Sequence, residues 1–531
     1  MEYNGNLAGY LLKLLAETGV KRIYGVAGSA VIPLLDAVQR QPEISFVAAT
    51  TETSAAYMAA YEARLTGNLG VCVATSGPGA AGLVNGLADA FFEGDPVLAI
   101  TGQVKIKEVG TRASQYFNQS SLFDPVTGFS AEVLDGQVGT EVFPRAISVA
   151  LTERTAVQVT VPKDVFSQGV QVAQPPLYWY PLENLSGDTD RAAALIDSFS
   201  RPLLVLGKEA IFTASEWLQI AESIGAAVIV AQEIKGLVSL DHPLNLGGIG
   251  ETYLPSLLKE ADGIILVGTA KFEQPFLPKV PTVQVTSRTI NLDWSLPLAE
   301  PITGNLTFLA GALKRRLAGR SNQAWLAKIE ASRRDLRRQL TQEAHRSSRP
   351  VHPSKLMSAL SLHLSQDAII TLDTGSFIHW FDKSFWAKQQ TVLASAYWRG
   401  IGAALPAAVA AQLVYPDRQV VAVVGDGGLL ANPGELLTAV KYRLPIVVVV
   451  VNTGSYDLEV QRMRKEGASL RGVDLPFWNL RLFAESCGAL GLEVRETSEI
   501  DTAITKALAS SKPALINVAA SIPELPNLLV N

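Results

Sequence analysis

Short apolar runs alternate with longer amphipathic runs along the first third of the chain. The apolar runs lie at 22–26, 46–49, 71–74 and 97–101, and the clearest amphipathic run covers 54–65. Brief apolar runs bounded by glycine and polar residues predict buried strands, and apolar residues at helical spacing predict the helices between them. Such an alternation predicts a parallel sheet that is covered on both faces.

The same layout recurs in two further stretches of the chain. The central stretch has strand-like runs at 203–206, 227–230 and 263–267. The last stretch has an apolar run at 420–424, which leads into the glycine-rich segment 425–428. Each stretch therefore predicts an α/β domain of its own.

The last stretch also repeats the order of the first: strand, glycine-rich turn, helix, proline, strand. The turns are at 75–79 and 425–428, and the prolines, Pro96 and Pro445, follow about twenty residues later in both. We favour a duplication, and the alternative is a chance likeness between two doubly wound domains. The fold prediction is three doubly wound parallel-sheet α/β domains, at 1–172, 188–320 and 354–531.

Composition and charge exclude several classes of protein. The chain has 531 residues, of which 45 are basic and 50 acidic, so its net charge is −5. A nucleic-acid-binding protein is expected to carry a basic patch, and the weakly acidic charge balance argues against that class of protein. The most apolar run, Leu444–Val451, is far shorter than the roughly 20 residues of a membrane helix, and the N-terminus lacks a signal-peptide layout. With only two cysteines, Cys72 and Cys487, we expect a cytoplasmic protein without disulfides.

The strongest chemical signal is the Gly-Asp-Gly-Gly segment at 425–428. A turn at the carboxyl end of a parallel strand places Asp426 at the crevice where α/β sheets bind ligands. Glycines let backbone N–H groups approach an anion, and a carboxylate beside that anion suits Mg²⁺, which shares oxygen ligands with phosphates. The next strand ends at 452–455 with further oxygen-bearing residues. The alternative is an ordinary turn.

Glu52 is the second signal, because it follows an apolar strand directly. A carboxyl group there is either a buried proton-transfer group or simply an acid in the first turn of a helix. Local sequence alone favours the helix interpretation.

Five segments together resemble the thiamine diphosphate (ThDP)-dependent enzymes of the group that contains acetolactate synthase, pyruvate oxidase, benzoylformate decarboxylase and pyruvate decarboxylase. The five segments are GVAGSAVIPLLDAV (25–38), TSGPGAAGLVNGLADA (75–90), DTGSFIHW (373–380), RGIGAALPAAVAAQLVYPDRQVVAVVGDGG (399–428) and FAESCGALG (483–491). Thr51-Glu52 and the Asn452-Thr453-Gly454 strand end belong to the same resemblance. The resemblance covers nearly the whole chain.

The resemblance implies a pyrimidine-binding domain, a central domain and a diphosphate-binding domain. It also implies a homodimer or homotetramer whose active site lies at the subunit interface. Glu52 matches the glutamate that hydrogen-bonds the pyrimidine ring, Ile401 the apolar residue that bends the cofactor, and the Arg399 carbonyl the acceptor for the pyrimidine amino group. The other expected cofactor contacts are Gly28, Ser76, Pro78, Asn85, Gly375, Ser376, Gly425, Asp426, Gly427, Gly428, Ser455 and Tyr456.

The chain departs from the family pattern at the metal site. The metal-binding asparagine of the family falls on Thr453, and Asn452 precedes it. The expected Mg²⁺ ligands are Asp426, the Ser455 carbonyl and either Thr453 or Asn452, since a hydroxyl is also an acceptable ligand.

The substrate pocket gives mixed signals about the reaction. Gln115 and Asn118 fall where the family borders its substrate, and Glu459 matches an active-site glutamate of pyruvate decarboxylases. We expect decarboxylation of a pyruvate-like 2-oxo acid with carboligation to an acceptor, as in acetolactate synthase. The alternatives are a decarboxylase that releases an aldehyde, an FAD-assisted pyruvate oxidase and a non-catalytic descendant that binds ThDP or a nucleotide. Segment 267–287 lacks the arginine of a flavin site, so absence of FAD is favoured over its presence.

Overall fold

Three α/β units follow one another along the chain. The computed structural model describes residues 2–173, 186–248, 255–270 and 277–524. Each unit has one six-stranded sheet, and all strand pairs in these three sheets are parallel. The predicted three-sheet α/β fold is therefore confirmed. The proline-rich segments at 174–176 and 180–181, predicted as a linker, lie outside the described residues.

The N-terminal unit surrounds its sheet with helices on both faces. The sheet order is β3-β2-β4-β5-β7-β6, and β1 and β8 form a separate antiparallel pair. The strands are β1 (Glu2–Asn6), β2 (Arg22–Gly25), β3 (Ser45–Ala48), β4 (Gly70–Ala74), β5 (Val97–Gln103), β6 (Phe129–Glu132), β7 (Ala156–Pro162) and β8 (Gly169–Ala173). The helices are α1 (Leu7–Glu17), α2 (Ile32–Gln39), α3 (Glu52–Thr66), α4 (Pro78–Gly82), α5 (Val84–Glu93), α6 (Gln119–Phe123) and α7 (Gly136–Glu153).

The central unit has a different strand order, β11-β10-β9-β12-β13-β14. Its strands are β9 (Pro202–Leu206), β10 (Ala227–Val230), β11 (Asn245–Gly248), β12 (Gly263–Val267), β13 (Thr282–Thr286) and β14 (Leu298–Thr303). Its helices are α8 (Thr189–Ser198), α9 (Ala214–Ile224) and α10 (Leu306–Arg316). The charged stretch after it forms one connecting helix, α11 (Gln323–Ala344), as its spacing predicts.

The C-terminal unit has the sheet order β16-β15-β17-β18-β20-β19. Its strands are β15 (Ile369–Leu372), β16 (Thr391–Leu393), β17 (Val420–Gly425), β18 (Val447–Asn452), β19 (Leu490–Val494) and β20 (Ala514–Ala519). Its helices are α12 (Pro353–His363), α13 (Phe377–Ser384), α14 (Ala404–Val414), α15 (Asp426–Ala431), α16 (Glu435–Lys441), α17 (Asp457–Glu466), α18 (Leu480–Ser486) and α19 (Ile500–Leu508).

The N-terminal and C-terminal sheets share one topology. Numbered within its own sheet, each has the strand order 2-1-3-4-6-5, whereas the central sheet has the order 3-2-1-4-5-6. The shared order agrees with the duplication that the repeated strand–turn–helix pattern suggests. In each sheet the order reverses next to its first strand, and ligands of doubly wound folds bind at such switch points.

The two outer units pack directly on each other. Helices α3 and α14 contribute to one shared hydrophobic core, and both helices present runs of fully buried alanines to it. The small side chains allow a close approach of the two backbones. Among the residues that the structure describes, no helix combines the length and the hydropathy needed to cross a membrane.

One local prediction differs from the structure. The segment 425–428 is predicted as a turn, but helix α15 already begins at Asp426, and Gly425 precedes it in an extended conformation. The glycines therefore lie in the first turn of a helix, so their N–H groups belong to those a helix leaves unpaired at its start.

Candidate functional site

The C-terminal switch point lies between the ends of β15 and β17. Segment 373–376 follows β15, and segment 425–428 follows β17. A Cβ on Gly428 would lie 2.5 Å from a carboxylate oxygen of Asp373, and one on Gly427 would overlap the ring of Tyr456. Only glycine fits at these two positions, because the side chains of Asp373 and Tyr456 pack directly against the backbone there.

Asp373 connects this edge to the segment that carries Ile401. Its buried carboxylate accepts hydrogen bonds from the N–H groups of Gly402 at 2.9 Å and Thr374 at 2.8 Å. Burial raises the pKa of the Asp373 carboxyl to about 7, although these N–H donors act to lower it. The sequence analysis assigns no role to Asp373, although this residue begins the DTGS segment. An acid at the end of an apolar strand is the same signal that identified Asp426.

Asp426 lies in a loop that is rich in oxygen atoms. Its carboxylate accepts hydrogen bonds from Gly454 N–H at 2.7 Å and Gly427 N–H at 3.1 Å. Burial, with a smaller contribution from the nearby Asp457, raises the pKa of the Asp426 carboxyl to about 6, although the N–H donors act to lower it. The Thr453 hydroxyl donates to the Ser455 carbonyl at 3.0 Å, so two of the expected ligand oxygens already converge.

Asn452 faces a different neighbour. Its amide nitrogen donates to the side chain of Asn517 at 3.0 Å, and Asn517 in turn donates to Glu493. Its amide oxygen accepts from Gly454 N–H at 3.1 Å. Because both ends of the Asn452 amide are engaged, Thr453 is the better placed of the two candidate ligands.

The donor set fits a divalent cation of the Mg²⁺ type. The buried Ser455 hydroxyl oxygen has no hydrogen-bond partner among the described residues. The hydrogen bonds to the Asp426 carboxylate come from backbone N–H groups and not from a Lys or Arg side chain. Within the same residues, no three His, Cys, Asp or Glu side chains cluster as a metal site. Mg²⁺ is commonly bound by one or two carboxylates together with neutral oxygens and phosphates, so this arrangement suits it.

Ser376 is held by a carboxylate that sequence reasoning missed. The Ser376 hydroxyl donates a short hydrogen bond to Asp457, at the start of α17. Burial raises the pKa of the Asp457 carboxyl. The two residues are 81 positions apart, so no local pattern could pair them.

The N-terminal switch point lies between the ends of β2 and β4. Gly28 abuts Thr75, where a Cβ would overlap the threonine side chain. The Ser76 hydroxyl donates to the Gln115 side chain at 3.2 Å, and a Cβ on Gly77 would lie 2.7 Å from that of Gln115. Gln115 has a φ of 67°, which is uncommon for a residue other than glycine and is often found at functional sites.

The structure confirms the helix interpretation of Glu52, whose side chain is half-buried. It is the first residue of α3, whose N-cap is Thr51, so it is indeed an acid in a first helical turn. Its carboxylate also points at the short helix α4, which Pro78 begins: Cβ atoms on Gly79 and Gly82 would lie 3.1 Å and 3.3 Å from its two oxygens. The glycines leave room beside this carboxylate.

Segment 398–402 lies between the two outer units. The indole N–H of Trp398 donates to the Asn85 side chain at 2.6 Å, and a Cβ on Gly400 would lie 3.5 Å from the same Asn85 oxygen. Arg399 has a φ of 53°, and its guanidinium returns to the Ala396 carbonyl at 3.2 Å. Ile401 is 39% exposed. The structure thus brings Asn85, Arg399 and Ile401 together.

Two predicted substrate residues have other partners. Asn118 is the N-cap of α6, where its side chain accepts from Ser121 N–H at 3.3 Å. Glu459 is 52% exposed and forms an ion pair with Arg462 at 2.8 Å, one turn along the same helix.

The switch point of the central sheet is filled by protein. The Glu209 carboxylate accepts from the Ser287 N–H at 2.7 Å, from the Thr286 hydroxyl at 2.7 Å and from the Asn291 amide at 2.9 Å. Lys208 N–H donates to the Thr269 carbonyl at 3.1 Å and closes the gap between the ends of β9 and β12. Among the described residues, a carboxylate therefore takes up hydrogen-bond donors at this end of the sheet.

Fold and crevices together are those of an α/β enzyme that binds a phosphorylated cofactor. Three family models match in order: the N-terminal TPP binding domain of thiamine pyrophosphate enzymes at 5–122, their central domain at 189–313 and their C-terminal TPP binding domain at 373–518. The chain belongs to the thiamine pyrophosphate (ThDP)-dependent enzyme family and is an enzyme of the lyase or transferase type.

Curated relatives resemble the chain over nearly its whole length. A thiamine pyrophosphate-containing protein of Bacillus subtilis, YdaP, is 29% identical over 534 residues, covering 97% of this chain and 92% of its own. The acetolactate synthase of Bacillus subtilis is 28% identical, covering 98% and 94%. The catabolic acetolactate synthase of Raoultella terrigena is 27% identical, covering 98% and 96%.

Proposed function

We propose that this enzyme uses ThDP and Mg²⁺ to decarboxylate a pyruvate-like 2-oxo acid and to join the product to an acceptor. The observation that carries the proposal is that the two outer sheets share one topology, and that each has candidate cofactor residues at its switch point. One presents glycine N–H groups beside Asp426, and the other presents Glu52 to a glycine-lined helix. The relatives named acetolactate synthase support carboligation as the outcome.

In this proposal the C-terminal switch point holds the diphosphate and its cation. Asp426, the Thr453 hydroxyl and the Ser455 carbonyl are the metal ligands. The residues that bind the diphosphate are Gly375, Ser376, Gly425, Gly427, Gly428 and Tyr456. The bound cofactor supplies a nucleophilic carbon and an electron sink for loss of CO₂.

The chain's own groups then bind and orient the pyrimidine end. Glu52 would hold a proton at its carboxylate oxygen for a ring nitrogen of the cofactor, and the Arg399 carbonyl would accept a hydrogen bond from its amino group. The remaining contacts are those of Gly28, Ser76, Pro78, Asn85 and Ile401. Gln115, which adopts a positive φ beside Gly77 and accepts a hydrogen bond from Ser76, would orient the substrate.

Glu459 keeps aldehyde release as the alternative outcome. A glutamate that protonates a reaction intermediate must face the pocket. Within one chain Glu459 pairs with Arg462 on an exposed helix surface, so a second copy would have to bring it into the pocket at the subunit interface. The Asn118 side chain caps α6 through its oxygen, which leaves its amide nitrogen for a substrate contact.

The filled crevice of the central unit argues against a flavin-assisted oxidase. The Glu209 carboxylate already accepts the hydrogen bonds of Ser287 and Asn291, so these donors are not free to hold a flavin nucleotide. Electron transfer to oxygen needs such a carrier, so we place the oxidase behind the carboligase.

We also infer at least a homodimer, and commonly such enzymes form tetramers. Apolar side chains beside the proposed cofactor segment are left exposed in one chain: Phe92 at 47%, Trp398 at 39% and Ile401 at 39%. A second copy would cover them and complete the site.

Proton NMR of the protein with ThDP, Mg²⁺ and pyruvate tests the proposal. We expect acetolactate or acetoin; acetaldehyde would indicate release and acetate an oxidation. A Glu52→Gln variant should bind ThDP yet lose turnover by about 10²-fold or more, because it lacks the proton-transfer group. Unchanged turnover in this variant would refute the role of Glu52. ThDP binding without consumption of any 2-oxo acid in a panel would favour the non-catalytic descendant.

A further inference from the structure

A buried ionic cluster joins all three units next to the proposed cofactor segment. Its members are Arg64, Asp89, Glu93 and Asp95 of the N-terminal unit and Lys208 of the central unit. We call it the three-unit cluster. The side chains of Glu93 and Asp89 are 0% exposed, that of Asp95 1% and that of Arg64 4%. Charges so deeply buried are costly unless each is paired.

Glu93 is the member that contacts the C-terminal unit. One of its carboxylate oxygens accepts from the N–H groups of Ala396 at 2.6 Å and Tyr397 at 2.8 Å. These residues stand directly before Trp398, Arg399 and Ile401. The carboxylate therefore fixes the start of the segment whose end is proposed to meet the cofactor.

Lys208 holds the other side of Glu93. Its ammonium lies 3.0 Å from the second carboxylate oxygen of Glu93, 2.7 Å from the Glu93 carbonyl and 3.1 Å from Asp95. Burial acts to raise the pKa of the Glu93 carboxyl, but Lys208 and Arg64 outweigh it, so this pKa lies below its usual value. Glu93 is thus held ionised and oriented by a residue of the central unit.

Other contacts of the segment converge on the same place. Arg64 donates to the Ala394 carbonyl at 2.8 Å, and Thr269 of the central unit hydrogen-bonds the side chain of Tyr397. Beyond them, Arg399 adopts its positive φ of 53°, a conformation that persists only where the surroundings fix it.

We propose that Lys208 and Glu93 form a positioning pair through which the central unit sets the conformation of segment 396–401 and thereby the affinity for ThDP. The inference rests on the proposed contact of Arg399 and Ile401 with the cofactor. It assigns the central unit a role that needs no ligand of its own. Neither residue touches the reacting atoms, so both act through the backbone of the segment.

The test compares two buried lysines of the central unit. Lys208→Met removes the partner of Glu93. Lys235→Met is the matched control: Lys235 is equally an inter-unit cation, 3.9 Å from Asp382, but its hydrogen bond and its ion pair are both with Asp382 and not with segment 396–401. ThDP affinity at saturating Mg²⁺ is measured by calorimetry, and hydrogen exchange is measured on the peptide that contains 394–402.

We expect Lys208→Met to weaken ThDP binding at least tenfold and to speed exchange of the Ala396 and Tyr397 amides. Lys208→Arg should restore both, while Lys235→Met should change affinity less than threefold. Equal losses in the two methionine variants, or unchanged affinity and exchange in Lys208→Met, would overturn the proposal. Neither readout requires the 2-oxo acid, so an incorrect substrate would leave this test intact.

A second variant covers the case in which Lys208→Met does not fold. Glu93→Gln keeps an oxygen for the two N–H groups but removes the charge that Lys208 orients. We expect a loss of ThDP affinity of about threefold to tenfold with faster exchange of the same peptide. Wild-type affinity together with wild-type exchange would refute the positioning pair.

Discussion

The central and C-terminal sheets end in crevices of the same kind that present opposite surfaces. At the C-terminal crevice, glycines lie in the first turn of α15, and Asp373 and Asp426 line the edge. At the central crevice, the Glu209 carboxylate accepts hydrogen bonds from residues at the end of β13. The comparison teaches that a switch point is a site only if the residues after its strands leave it open.

The largest expected effect comes from closing the open crevice. In Gly428→Ala, the new Cβ would lie 2.5 Å from Asp373, which is itself held by Gly402 N–H. We expect ThDP affinity to fall about 100-fold, roughly 2.8 kcal/mol, in calorimetric titrations. Gly311→Ala on α10 is the control, since its Cβ meets only the end of the Arg315 side chain at 3.4 Å. Equal affinity in both variants would show that the crevice tolerates side chains.

The next expected effect is on the pH dependence of stability, through a buried carboxyl group of the central unit. Glu233 is buried in the central unit, and burial, then Glu93 and Asp382, raise its pKa to about 7, while Lys208 lowers it. The pKa of Glu233 is higher in the folded state than in the unfolded state. The stability that Glu233 contributes is therefore complete below about pH 4 and is lost as the pH rises through 7.

Wild-type protein should therefore lose on the order of 2 kcal/mol of unfolding free energy from this group between pH 4 and 8. Glu233→Gln removes the titrating group, so its stability should exceed that of the wild type by more at pH 8 than at pH 5. Chemical denaturation at both pH values measures the difference. Parallel changes in the two proteins would exclude Glu233 as the source.

Opening the filled crevice should have a smaller effect. Glu209→Ala removes a carboxylate that accepts three hydrogen bonds, so we expect the central unit to lose about 1.5 kcal/mol of stability in thermal unfolding. ThDP affinity should stay within threefold, because Lys208 and Glu93 are retained. A gain of FAD binding by this variant alone would show that Glu209 is what excludes the nucleotide.

The smallest effect distinguishes the two candidate metal ligands. Thr453→Val removes the hydroxyl at nearly constant volume, so Mg²⁺ affinity in the presence of ThDP should fall about fivefold, roughly 1 kcal/mol. Asn452→Ala should change it less than twofold, since that amide is engaged by Asn517. The reverse order of effects would assign the ligand to Asn452.

The sequence pattern was sufficient for the sheets because their strands are continuous apolar runs. The predicted run at 263–267 is strand β12 itself, and the 71–74 run differs from β4 by one residue. The segment 425–428 was predicted as a turn and not as the start of α15, because glycines have poor helix propensity.

The site was less predictable where its contacts are distant in sequence. The bonds from Ser376 to Asp457 and from Glu93 to Ala396 join residues 81 and 303 positions apart, which no local spacing reveals. The pairing of Glu459 with Arg462 was within reach, since residues three apart are neighbours on a helix.

The packing of α3 on α14 has a consequence for assembly. Each helix follows the second strand of its sheet, so the two are equivalent elements and the outer units meet as the halves of an internal pseudo-symmetric dimer. Within one polypeptide this alanine-lined contact forms at a fixed effective concentration. It should therefore survive a dilution that separates one copy of the chain from another.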